Sequence, residues 1–186
     1  MAVLLALLFW SLSRCDVFWH MTGDIVYDHH DFDAIIKKMA AKHGIDSRLV
    51  KAVVYQESRF DPRRKGKAGE IGLMQLLPRA AVEDWARITK NRKPSNFQLY
   101  NPELNLDIGC WYLARAINRW QAYKYCLELA LCQYNAGPSR ANAWKPETED
   151  GSVIERINIP STRNYVTEIM SRYNHYKENS PFKETE

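Results

Sequence analysis

Apolar residues recur at helical spacing through most of the chain. Phe32, Ile35, Ile36, Met39 and Ala40 fall three and four positions apart, which predicts a helix capped by Asp31 or Asp33 and ended at Gly44. Leu49, Val50, Val53 and Val54 predict a second, capped by Asp46 or Ser47 and stopping near Ser58, before Asp61-Pro62 and a basic loop over 63–69. A short apolar stretch, 71–77, leads to Pro78, which is placed to open a helix to about Thr89. Residues 91–101 read as a loop. Longer helices are expected over about 102–120 and 124–134, the latter stopped by Asn135-Ala136-Gly137-Pro138, and a last one runs from Pro160 or Ser161 to Tyr176. No stretch sustains the alternation of a half-buried strand, so the predicted class is all-α or nearly so, with a small hairpin in 63–72 as the one departure allowed.

The first residues follow another pattern. Positions 1–12 carry no charge and are mostly Leu, Ala and other apolar residues, about the length of a signal-peptide core and short for a membrane-spanning helix. Leu12-Ser13-Arg14-Cys15 loosely resembles a lipoprotein attachment site, although no basic residue precedes the run and Arg14 stands where such sites have a small residue. Segment 1–15 is therefore expected to be signal-peptide-like or lipoprotein-like. Export to the periplasm or cell envelope follows, with membrane association through this end or a lipid on Cys15. One domain is expected over 31–177 and a polar tail over 178–186. The net charge of +4 suits approach to an anionic wall or membrane and is too small to indicate nucleic-acid binding. Cys15, Cys110, Cys126 and Cys132 lack C-x-x-C spacing, which argues against a zinc or redox site. Cys110 and Cys132 flank a turn near Gln121, so antiparallel helices would bring them together as a disulfide or as buried free thiols.

Glu57 is the candidate for chemistry. Val53 and Val54 lie four and three positions before it, on the same helical face. Burial there, and the negative end of the helix dipole, both oppose ionisation and raise its pKa towards the range of a general acid. A glutamate near a helix end is ordinarily a solvated surface residue; its neighbours argue otherwise.

Four segments occur in order: Tyr55-Gln56-Glu57-Ser58-Arg59-Phe60, Gly72-Leu73-Met74-Gln75, Gln133-Tyr134-Asn135-Ala136-Gly137 and Ser161-Thr162-Arg163-Asn164-Tyr165. Together they resemble the catalytic domain of the soluble lytic transglycosylases, relatives of goose-type lysozyme, over roughly residues 33–176. The resemblance implies a lysozyme-like helical domain with a cleft for a peptidoglycan glycan strand, and Glu57 as the single catalytic acid/base. Ser58, Gly72, Met74, Gln75, Tyr134, Asn135 and Tyr165 become the expected substrate-binding set. Tyr134 is expected to donate a hydrogen bond to Glu57. Two positions depart from the pattern, Ser161 where many members have Glu and Gln133 where many have Ala.

The resemblance also implies cleavage between N-acetylmuramic acid and N-acetylglucosamine with closure of a 1,6-anhydro ring, a reaction needing no cofactor or metal. One carboxylate is enough for that reaction, whereas ordinary glycosidases use two. Asp61 reads as a turn residue, and Glu70 and Asp107 remain unplaced as second carboxylates. A goose-lysozyme-like hydrolase and a non-catalytic wall-binding protein are the alternatives.

Overall fold

The computed structural model describes residues 28–182. The expected leader at 1–15, with Cys15, lies outside the described residues, as do positions 183–186. Seven α-helices are described: α1 (Asp33–His43), α2 (Ser47–Ser58), α3 (Ala81–Thr89), α4 (Pro102–Trp120), α5 (Cys126–Ala136), α6 (Pro138–Trp144) and α7 (Pro160–Glu178). Short 3-10 turns at Gln98–Tyr100 and Ile154–Arg156 complete them. The all-α class is what the described residues adopt. The hairpin allowed for in 63–72 is reduced to isolated antiparallel bridges, Lys65 to Ile71 and Ile71 to Leu76. No helix among these residues is long and apolar enough to cross a membrane.

Burial explains the arrangement. In α5 Leu129 to Gln133 are all buried, the mark of a helix enclosed on every side rather than amphipathic. It packs against α4, α6 and α7. In α2 Leu49 to Val54 are likewise buried without a break, and α7 and α1 pack against it. Glu57 follows from the end of this enclosed helix. Asp46 caps α2 by accepting from the Arg48 amide, one of its two expected caps.

Several boundaries differ from expectation. Neither Asp31 nor Asp33 caps α1; the cap position is Phe32. Asp33 instead accepts from Lys51 Nζ at 2.5 Å, deep against α2. Lys51 is completely buried, and a buried ammonium without a partner would be far costlier than an uncapped amide. Helix α3 begins at Ala81, not at Pro78, because residues 77–80 first close a turn through the Ala80 amide and Leu77 carbonyl. Asn135 does not stop α5, which continues through Ala136; Gly137 then turns at φ 87° and Pro138 opens the unforeseen α6. Within the segment read as a polar tail, the Pro181 carbonyl accepts from Lys51 and Phe182 packs against the core. Cys110, Cys126 and Cys132 are free thiols, Cys110 and Cys132 buried between helices. Burial pushes the Cys132 thiol up to about 12, so it stays an inert apolar filler.

Candidate active site

At the end of α2 the chain turns through two non-glycine residues in the left-handed region, Arg59 at φ 54° and Phe60 at φ 64°. Such backbone is strained for residues with a Cβ. It is held by the Arg59 amide to the Tyr55 carbonyl and the Asp61 amide to Ser58. Asp61 is the expected turn residue, its carboxylate accepting from the Arg63 amide. The following segment folds back on itself: the Gly72 amide donates to Arg64, and Ile71 and Leu76 exchange both backbone bonds. Gly72 sits at φ 78°, and a Cβ there would overlap the Asn105 side chain and come within 2.9 Å of the Leu99 carbonyl. Only glycine fits.

Asn105, buried in α4, braces this segment. Its amide donates to the Ile71 and Leu99 carbonyls, both at 2.8 Å, and its carbonyl accepts from the Met74 amide at 2.9 Å. The Met74 carbonyl in turn accepts from the Tyr134 hydroxyl at 2.8 Å.

These elements enclose a cavity of about 320 Å³. Glu57, Gln75, Tyr134 and Asn135 line it, together with Glu70 and Tyr112. The other expected residues stand behind its walls. Tyr165 is buried on α7 and donates to Glu57 Oε1 at 2.6 Å. Met74 is buried against Gly109, and Gly72 shapes the turn. Ser58 faces away: it is buried and its hydroxyl donates to the Val54 carbonyl. The expected Tyr134–Glu57 hydrogen bond is replaced by the one from Tyr165, because α7 lies directly along α2 while Tyr134 is spent on the Met74 carbonyl. Asn135 accepts from Thr162. Of the two departures from the resemblance, Gln133 accepts from the Trp120 indole in the core and Ser161 is exposed.

Burial raises the Glu57 carboxyl above its ordinary range; the Tyr165 hydrogen bond opposes this, the Glu70 charge adds to it and Arg64 offsets part, leaving it at about 7. Burial also keeps Tyr165 and Tyr134 protonated, so both remain donors. Glu70, one of the two candidate second carboxylates, lines the same cavity. Asp107 is elsewhere, tied to Lys42 and His43 of α1 at 2.8 and 2.6 Å. Asn105 and Tyr112 escaped the sequence reading. The signal for Asn105 was available: a lone amide beside Leu104, Leu106 and Ile108 on a helix whose stripe is buried. The one grouping of candidate metal-ligating side chains among the described residues, Asp28, His29 and His30, lies outside this cavity.

The family model for the transglycosylase SLT domain matches residues 34–157. A membrane-bound lytic murein transglycosylase C from Actinobacillus pleuropneumoniae is 37% identical over 95 residues, covering 50% of this chain and 26% of its own. The crystal structure of the 70-kDa soluble lytic transglycosylase from Escherichia coli aligns over 82% of this chain and 25% of its own, at 26% identity and a TM-score of 0.71. An inactive glutamate-to-glutamine mutant of the lytic transglycosylase Slt from Pseudomonas aeruginosa aligns equally far, at 27% identity and a TM-score of 0.70. The chain thus spans about a quarter of the length of these relatives.

Proposed function

The chain belongs to the transglycosylase SLT domain family, and from that membership we propose that it cleaves the β-1,4 bond between N-acetylmuramic acid and N-acetylglucosamine in peptidoglycan, leaving 1,6-anhydromuramic acid ends. The observation that carries this reading is Glu57, a carboxyl raised to about 7 in the wall of a cavity and held by Tyr165. A group with that pKa is half protonated near neutrality and serves as acid and base in turn. Protonated Glu57 gives its proton to the glycosidic oxygen as the bond to the anomeric carbon breaks. The substrate's N-acetyl group stabilises the cationic centre. The Glu57 carboxylate then takes the proton of the muramic acid 6-hydroxyl as that oxygen closes on the anomeric carbon. Every proton moved passes through one residue, and the steps call on no metal or cofactor. Gln75, Tyr134 and Asn135 contact the sugar in this reading, with Gly72 and Met74 shaping the wall. The domain takes in the segment over 31–177 and continues to Phe182, which packs on its core, and its substrate puts its place of action in the cell envelope, reached by export through segment 1–15.

Glu70 favours a second reading. A second carboxylate in the cavity with Glu57 is the pair a hydrolase uses, one as acid and one as base or ion stabiliser. Its Oε2 already accepts from the Ala68 amide, which fixes it in place. Mass spectrometry of muropeptides released from purified peptidoglycan separates the readings. Anhydro ends, lighter than reducing ends by one water, are expected; reducing ends lost with Glu70→Gln would make the protein a hydrolase instead. Binding without any product would leave a wall-binding protein.

The pH profile tests the acid role. The Glu57 pKa is raised, so the protonated form is lost as pH rises through about 7, and turnover is expected to fall across that window. Tyr165→Phe removes the hydrogen bond that lowers this pKa, so the falling limb should move to higher pH. A limb that stays put would show that Tyr165 does not control Glu57.

A further inference from the structure

Leu77 belongs to the wall of more than the catalytic cavity. That side chain also lines a second concavity of about 380 Å³, to which Lys65, Arg79, Asn96 and Tyr100 contribute. Its walls are fixed. Lys65 is bridged to Ile71, and the Asn105 amide ties the Ile71 and Leu99 carbonyls together, so the loop bearing Lys65 and the turn bearing Tyr100 are held by one buried side chain. Neither Lys65 nor Arg79 has an ion-pair partner among the described residues. Arg87 and Lys93, by contrast, are neutralised by Asp84 and Glu83.

Charge along the chain points the same way. Residues 63–97 hold nine Lys or Arg against three Asp or Glu. That surplus exceeds the whole chain's +4, leaving the rest net acidic. Two unpaired cations beside a braced hollow, which shares its Leu77 wall with the cavity that takes the sugar, suit an anion attached to that sugar. In peptidoglycan the muramic acid carries such a group, a peptide stem ending in free carboxylates.

We propose that the Lys65–Arg79 concavity is a subsite for the carboxylates of the peptide stem, making the protein selective for peptide-bearing over naked glycan. This rests on the reading of the substrate given above. The guanidinium of Arg79 can take a carboxylate through two parallel N–H bonds, and the Lys65 ammonium adds charge without fixed geometry. Asn96 and Tyr100, in the same lining, supply further polar contacts.

The test compares the full chain with Lys65→Gln/Arg79→Gln on soluble glycan strands, either carrying their stems or stripped of them by an amidase. Both residues are exposed, so the double variant should melt as the parent does. On stem-bearing strands its KM is expected to rise about tenfold with kcat held within about twofold; on stripped strands neither should change. An equal rise on both strands, or none, overturns the subsite. Should the parent cleave neither strand, the proposed reaction fails but the subsite is still read by fluorescence anisotropy of labelled strands. Preference for stems, abolished by the double variant, supports it there, and absence of preference overturns it.

Discussion

A chain with glutamine at position 57 is expected to fold normally and to lose at least about a thousandfold in cleavage rate, in line with the removal of a general acid that must also act as base. Glutamine keeps the size of the side chain and an oxygen that can accept from the Tyr165 hydroxyl, now at 2.6 Å from Glu57. It has no proton of suitable acidity to give. The same substitution has a stability consequence of known sign. Burial raises the Glu57 pKa from 4.5 to about 7, so the folded state binds this proton more tightly than the unfolded chain does. The associated stability is complete below about 4.5 and is lost as pH rises through about 7. Above that window wild type carries a buried charge that costs on the order of 3 kcal/mol, less whatever water reaches the cavity; the glutamine variant carries none. At pH 8 the variant should therefore melt at or above wild type while releasing no muropeptides. Turnover above a tenth of wild type would falsify the assignment. A variant that is inactive because it melts well below wild type would instead make Glu57 a structural residue.

How much of this was legible beforehand depended on where the physics was local. Asp46, one of the two caps the sequence offers, and the stripe Leu49, Val50, Val53 and Val54 predict α2 from sequence alone, since capping and burial periodicity act within a few residues; the burial of Lys51 in the same run does not follow from them. Gly137-Pro138 was read as a stop although Pro138 starts a further helix. Seven residues are too few to show a period, and glycine before proline serves both purposes. Which tyrosine holds Glu57 was beyond reach. Tyr134 and Tyr165 were both in motif segments, and only the packing of α7 along α2 and the claim of Met74 on Tyr134 decide between them. Glu70 sits in a loop with no periodicity to orient it, so its place in one cavity with Glu57 needed the fold-back of residues 64–76. The misassigned role of Asp33 had the same origin: its partner Lys51 lies eighteen positions away.

Asn105 carries the second large expectation, because removing it strands the buried Leu99 carbonyl and Met74 amide and takes one of two partners from the Ile71 carbonyl. Its side chain serves the Ile71 and Leu99 carbonyls and the Met74 amide, and it is itself fully buried. Asn105→Leu keeps the branched shape, with bulkier tips, and supplies no hydrogen bond. Each buried group left unpaired costs about 1–3 kcal/mol, so the loss should be roughly 4 kcal/mol, a large share of a domain's usual stability. Urea unfolding would read this as a lowered midpoint, and hydrogen exchange should show residues 71–76 opening first. Asn105→Asp sharpens the argument. Its ionised carboxylate can still accept from Met74 but cannot donate to either carbonyl, and burial opposes its charge. Its folded pKa should be raised, so its stability should be best at low pH and fall as pH rises through that pKa. Leucine has no such titration and should show no comparable difference from wild type across that range. Since Met74 also anchors Tyr134, both variants should lose cleavage well below their melting temperatures. If Asn105→Leu unfolds within about 1 kcal/mol of wild type, the walls of the cavity are held by backbone pairing alone and the brace assigned to Asn105 does not exist.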